Sequence, residues 1–242
     1  MNVLRPSVFP PGVVAAISTR NGGVSPPPLG MNLSFKVGDT PGNVSMNRLM
    51  FFGGLGIPPD RLAIPGQVHG NIVRFAKSPG NYPETDGLVT GEPGVFLCVA
   101  TADCVPILLF DPVRGAVGAV HAGWRGTAAG IAAAAVRMME REFGTAAHNV
   151  HACIGPAAGD CCYSVGDDLE SNFPAECVSR RNGRLYVDLK GANRRILLGA
   201  GLIAARVETS PFCTISDSTL FHSHRRDGGR SGRMMSVIGL IA

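Results

Sequence analysis

Residues 101–126 read TADCVPILLFDPVRGAVGAVHAGWRG. Two apolar, β-branched runs, 105–110 and 116–122, are separated by Asp-Pro and Arg-Gly pairs, which predicts two neighbouring strands joined by a tight turn. Cys104 stands immediately before the first run and His121 near the end of the second, so strands lying side by side can bring a thiol and an imidazole together. Beyond Gly-Trp-Arg-Gly the pattern turns helical. Ala132, Val136, Met139 and Phe143 share one stripe, and Arg137, Glu140 and Arg141 take the other side. A helix is therefore expected over 127–143, with Thr127 as its cap and Gly144 at its end.

Outward from this segment, short apolar runs bounded by Gly, Pro or Asp predict further strands at 13–19, 71–76, 95–100, 149–154, 185–189 and 234–240. A second helix is expected to begin at Asp188, to turn Ile196, Leu197 and Ala200 inward, and to stop among Gly199 and Gly201. Strands follow one another through turns in some places and helices in others. That irregular alternation indicates an α+β class of mixed sheets flanked by helices rather than a doubly wound fold. No internal repeat or long linker interrupts the chain, and the proline-rich patch at 25–28 reads as a surface turn. One domain over residues 1–242 is the expectation.

Hydrophobic residues make up 45% of the 242 residues and charged residues 17%, enough apolar surface to offset the entropy of ordering the chain. The net charge of +4 arises from 22 basic and 18 acidic residues, and no polybasic run with interleaved aromatics suggests a nucleic-acid partner. The densest basic patch holds Arg225, Arg226, Arg230 and Arg233, and is either a solvated face or an anion site. No run approaches the roughly 20 apolar residues that span a bilayer, and the segment MNVLRPSVFPPG lacks a secretory apolar core. A cytoplasmic protein with reduced thiols is expected, and the adjacent Cys161 and Cys162 read as packing thiols.

A Cys and a His among apolar neighbours are commonly core residues. His69, in PGQVHGN, follows a Pro-Gly turn where packing gives no reason for a histidine. His69, Cys104 and His121 form a donor set that zinc accepts in catalytic sites with a fourth position open. The same set with a weak axial ligand can hold copper. Arg125 and the backbone N–H groups at the start of the expected helix are a candidate anion site, the alternative being an Arg125 stem lying over Trp124. His148 and His151 read as structural or exposed, and His222 and His224 as alternating residues on one face of a strand.

The segments STRNGGVS and MNLSFKVGD (within 18–39), VSMNR, QVHG (67–70), TDGLVT, TADCVPILLFDP, VHAGWRGT, IGPAAGDCCYSVGDD, DLKGANRRILLGAG and SHRRDGGRSGRMMSVIGL together resemble the purine nucleoside phosphorylase family once described as polyphenol oxidases, or laccase-domain proteins, which includes the bacterial YfiH-like proteins. The resemblance covers nearly the whole chain. It implies a mixed α/β fold related to cysteine hydrolases and a zinc site made by His69, Cys104 and His121. It also implies phosphorolysis of adenosine, inosine and methylthioadenosine to the base plus (methylthio)ribose 1-phosphate, with adenosine deamination beside it. Two departures are local: both His222 and His224 precede the arginine pair, and DGGRSG is a residue or two longer than usual.

On that reading a Lewis-acidic ion activates water for attack at purine C6, while phosphorolysis needs phosphate below ribose C1′ and a proton for the departing base. Arg125 is the candidate phosphate residue and Asp103 a candidate for serving the base; Gln67 and Asn32 are further candidate substrate contacts. Three rivals stay open. One is a copper-dependent phenol oxidase, although a trinuclear cluster plus a blue-copper site needs more than the six imidazoles present. Another is a metal-free hydrolase with Cys104 activated by His121, and the third is a cell-wall precursor editing or binding factor. The oligomeric state is not legible.

Overall fold

The computed structural model describes residues 3–241. Its strands are β1 Val3–Leu4, β2 Val13–Ser18, β3 Leu62–Pro65, β4 Val73–Phe75, β5 Gly80–Tyr82, β6 Gly87–Thr90, β7 Phe96–Thr101, β8 Val105–Asp111, β9 Ala116–Ala122, β10 His151–Ile154, β11 Ser164–Val165, β12 Val178–Arg181, β13 Arg184–Val187, β14 Val207–Thr209 and β15 Met234–Leu240. The helices are α1 Pro41–Gly53, α2 Trp124–Ala128, α3 Ile131–Phe143 and α4 Leu189–Gly199. Every residue of β8 and β9 is buried, which explains why both read as continuous apolar runs. They pair antiparallel, with Val105 opposite Ala122 and Pro106 opposite His121.

Two mixed six-stranded sheets pack face to face, one in the order β1-β2-β15-β7-β3-β5 and the other β14-β10-β8-β9-β6-β4; β11, β13 and β12 make a third, small sheet. The period of two sorts the side chains of each strand. Leu108 and Phe110 of β8 join Val117 and Ala119 of β9, and meet Leu97 and Val99 of β7 and Ile238 of β15 between the sheets. The alternate residues, Val105, Ile107 and Leu109, face outward against Ile131, Ala135 and Met139 of α3 and Leu197 of α4. On the far side of the other sheet, Cys98, Phe96 and Val237 receive Phe51 and Phe52 of α1. The result is helix, sheet, sheet, helix. Truncating a central side chain such as Leu108 to alanine would cost about 2–5 kcal/mol through the cavity left behind.

The expected strands over 116–122 and 234–240 coincide with β9 and β15, and Asp188 caps α4 by accepting from Gly191 N at 2.8 Å. Two expectations need correction. The helix over 127–143 is two helices, because Gly130 adopts a left-handed backbone (φ 73°) that ends one and starts the next. Thr127 is consequently interior, and its hydroxyl accepts from Asn193 Nδ2 at 2.9 Å instead of capping. His224 begins a turn and His222 lies in the irregular stretch before it, so neither is on a strand.

The patch at 25–28 is the surface turn expected, with Pro26, Pro27 and Pro28 exposed. Helix α1 begins at a Thr40 cap and carries the fully buried Asn47, whose Nδ2 donates to Ser25 Oγ, Gly30 O and Asn32 O while its Oδ1 accepts from Val24 N. This side chain fastens the 24–32 loop, with the proline patch on it, to the body of the protein. Within the patch itself Ser25 is buried. Among the described residues no helix is long and apolar enough to cross a membrane.

Candidate metal centre

The β8–β9 pair does what its spacing promises. Cys104, in the turn before β8, and His121, next to last in β9, come together with His69 from the loop between β3 and β4. The ligand atoms of the three lie within 4.8 Å of one another, close enough to share one ion. The two imidazoles meet edge to face, 4.8 Å between ring centres.

Asp86, immediately before β6 and fully buried, arranges this cluster and was not singled out from the sequence. Its Oδ1 receives His121 Nδ1 at 2.8 Å and His69 N at 2.9 Å. Its Oδ2 accepts from Gly70 N at 2.8 Å and Val68 N at 3.1 Å. One carboxylate thus folds the Val68-His69-Gly70 loop and fixes the His121 ring with Nε2 free to ligate, the arrangement that orients metal-bound histidines. An acid ahead of a glycine and a strand reads as a turn residue, so the only sequence signal was its place in TDGLVT.

Burial opposes charge on Cys104, but hydrogen bonds from His121 and His69 and their charge outweigh it and pull the thiol down to about 6. For His121 burial likewise opposes protonation, yet the bonds to Asp86 and Cys104 push it up to about 9. Asp86 is held below the ordinary carboxylate range: burial works against this, and His121 and the loop N–H groups prevail. At neutral pH the pair is therefore a Cys104 thiolate beside a protonated His121, and a cation binding there would take the place of the imidazole proton.

Gly123 makes room for all of this. A Cβ there would stand 3.1 Å from His69 Cδ2 and 3.2 Å from Cys104 Sγ. Gly126, one turn on, faces Gly70 O, which a Cβ would approach to 2.7 Å. The glycines of HAGWRG let α2 press against the histidine loop. Backbone strain collects in the same place: Gln67, His69 and Asp103 all hold positive φ, at 55°, 63° and 87°.

The cluster lines a cleft of about 1030 Å³, at the upper end of small-molecule sites. Lys36, Arg48, Arg125, Arg225 and Arg233 also line it, against a single acid, Asp103. Arg125 is exposed and stacks its guanidinium 4.3 Å over Trp124, so the stem-over-Trp alternative and the cleft position both hold. The helix start expected beside it is that of the five-residue α2, cut off from α3 by the break at Gly130. Of the C-terminal basic patch, Arg225 and Arg233 face the cleft, while Arg226 pairs with Asp227 and donates to loop carbonyls.

Three candidate contacts are otherwise engaged. Gln67 borders the cleft, but its amide makes a two-way pair with Ala100, donating to O at 2.7 Å and accepting from N at 2.9 Å. Asn32 is fully buried outside the cleft lining and is spent on Ser34, Asp39 and Arg233 N. Asp103 accepts from Thr214 Oγ1 and Arg225 N, both at 2.7 Å, which ties two later segments to the cleft wall. His148 is exposed and His151 bonds Val8 O. Cys161 and Cys162 are not simple packing thiols: Cys161 is exposed, and both converge on Cys213.

A family model described as multi-copper polyphenol oxidoreductase laccase matches residues 14–241. A Deinococcus radiodurans protein named purine nucleoside phosphorylase is 44% identical over 230 residues, 93% of this chain and 88% of that one. The Bacillus subtilis purine nucleoside phosphorylase YlmD is 35% identical over 246 residues, 94% of this chain and 88% of that one. Among solved structures, YlmD from Geobacillus stearothermophilus superposes with a TM-score of 0.95 at 37% identity, covering 100% of this chain and 97% of that one. The Bacillus licheniformis hypothetical protein YfiH gives 0.90 at 37%, covering 94% and 92%. Agreement of this extent in both sequence and fold makes the chain a member of the laccase-domain family of YfiH- and YlmD-like proteins.

Proposed function

We propose that the protein is a zinc-dependent purine nucleoside phosphorylase, acting on adenosine, inosine and methylthioadenosine, with adenosine deamination as a second activity. The observation that carries this reading is the convergence of two imidazoles and a thiolate on one point of a cleft rich in cations. The names of the relatives supply the reaction class.

The donor set suits zinc, and the space kept clear by Gly123 suits a shared ion. His69, Cys104 and His121 would hold the zinc, which would supply a Lewis acid for substrate or water. The chain's own residues do the remainder. Asp86 fixes the His121 ring and the His69 loop, so the donors are in place before substrate arrives. Arg125, Arg225 and Arg233 bind and orient the phosphate that attacks ribose C1′ as the bond to the base breaks, and they offset its charge in the transition state. Asp103, with both carboxylate oxygens already accepting, acts as a positioning residue for Arg225 and not as the acid that serves the base.

The family description keeps a copper oxidase in view. Against it stands the placement of the imidazoles: only His69, His121 and His224 line the cleft, too few for a trinuclear cluster with a blue-copper site. Alanine variants of His69, Cys104 and His121, assayed on the three nucleosides with and without phosphate alongside elemental analysis, test the proposal. Loss of base release in step with loss of zinc is expected. Full activity in Cys104→Ala ends the reading, and a metal-free wild type that stays active transfers the chemistry to the Cys104–His121 pair.

A further inference from the structure

A second group of donors lies outside the candidate active centre. Cys161 and Cys162 sit in a tight turn closed by Cys162 N and Tyr163 N donating to Gly159 O at 3.0 and 2.8 Å. Cys213 arrives from the segment after β14, held alongside by Thr214 N donating to Ala157 O at 3.0 Å. The three sulfurs lie within 4.8 Å of one another, with Cys161 and Cys162 at 3.4 Å.

Metal–sulfur bonds of about 2.3 Å place tetrahedral ligand sulfurs roughly 3.8 Å apart, so little movement is needed to close on an ion. Gly159 keeps the centre clear: a Cβ there would stand 3.3 Å from both Cys161 Sγ and Cys213 Sγ. Its N–H donates to Cys213 Sγ at 3.2 Å, support suited to a thiolate. Burial grades from Cys213, buried, through Cys162 to Cys161, exposed, which leaves a path for an ion from solvent.

We propose that Cys161, Cys162 and Cys213 form a second cation site, separate from His69, Cys104 and His121, for a thiophilic d10 ion, zinc(II) or copper(I). Thiolate sulfur selects such ions over magnesium, calcium or manganese. The site adjoins the cleft wall, because Tyr163 follows Cys162 and lines the cleft, and Thr214 follows Cys213 and bonds Asp103.

The test is stoichiometry in fully reduced protein under anaerobic conditions, by dialysis against zinc(II) and, separately, by competition for copper(I) with a chromogenic chelator. Wild type should hold two ions of at least one of these metals. Cys161→Ser/Cys213→Ser should hold one, and His69→Ala/His121→Ala should also hold one, with X-ray absorption showing sulfur ligands only. One ion in wild type and one sulfur-bound ion in the histidine variant would uphold this inference while removing the first metal centre. Should the serine variant not fold, the histidine variant alone decides. If a thiol reagent finds its three sulfurs free and it takes up neither metal, the proposal is wrong.

Discussion

Replacing Asp86 by asparagine removes one charge and little volume, so its consequences can be worked from the bonds. Oδ1 serves His69 N and His121 Nδ1, and Oδ2 serves Val68 N and Gly70 N. An amide keeps one acceptor and turns NH2 toward the other two donors, whichever way it sits. Bonds to a charged group contribute about 1.5–3 kcal/mol each, so two lost in a buried position cost about 3–5 kcal/mol. For a chain of this length that lowers Tm on the order of 10 °C. The His121 ring is left with a neutral acceptor at best in place of the carboxylate, which should weaken zinc binding about 10- to 100-fold. Calorimetry of the zinc-loaded protein and zinc competition against a chromogenic chelator measure the two quantities. If Asp86→Asn melts within about 1 °C of wild type and binds zinc as tightly, the buried carboxylate does not organise the centre.

Gly123→Ala should lose more than about tenfold in zinc affinity with an unchanged far-ultraviolet spectrum, because its Cβ crowds His69 and Cys104; undiminished affinity would contradict the crowding. Arg233→Ala should raise the KM for phosphate about 10- to 100-fold, the equivalent of one charge-assisted bond, while the KM for nucleoside holds; an effect confined to the nucleoside would move phosphate elsewhere. His222 is buried with neither ring nitrogen hydrogen-bonded among the described residues, and burial, with Arg20, Arg233 and Arg226 nearby, pushes it down to about 3. Its folded value lies below the unfolded one, so stability is full above about pH 6.5 and falls as the unfolded chain takes up the proton. The loss is about 1.4 kcal/mol per pH unit, or about 2 kcal/mol by pH 5. Denaturant titrations of His222→Leu should lack that component, and a profile parallel to wild type would refute it.

How far the sequence spoke depended on where each residue's partners lie. Strands β8 and β9 were legible because burial on both faces makes their apolar runs unbroken. Strands β5, β11 and β14 were not, since two or three residues give no period. Helix α1 hid because glycine, serine and two asparagines dilute its stripe, and Asn47 spends its polarity on a loop far back in the chain. At the centre, residue chemistry singled out Cys104, His121 and His69. The engagement of Gln67 by Ala100 and of Asn32 by Arg233 N depends on contacts 33 and 201 positions apart, which no local pattern encodes. Asp86 was silent for the same reason: its importance lies in four donors that fold up to it.

Strand β15, residues 234–240, inserts between β2, residues 13–18, and β7, residues 96–101. The sheet it completes therefore stays split, with two open edges and Val237 and Ile238 unsheltered, until some of the most distant parts of the chain have met. Such long-range pairing slows folding and leaves sticky edges exposed in the meantime. A chain emerging from the ribosome would stay half-zipped until residues 234–240 are out, with reason to depend on chaperones until then and to tolerate no clipping within β15.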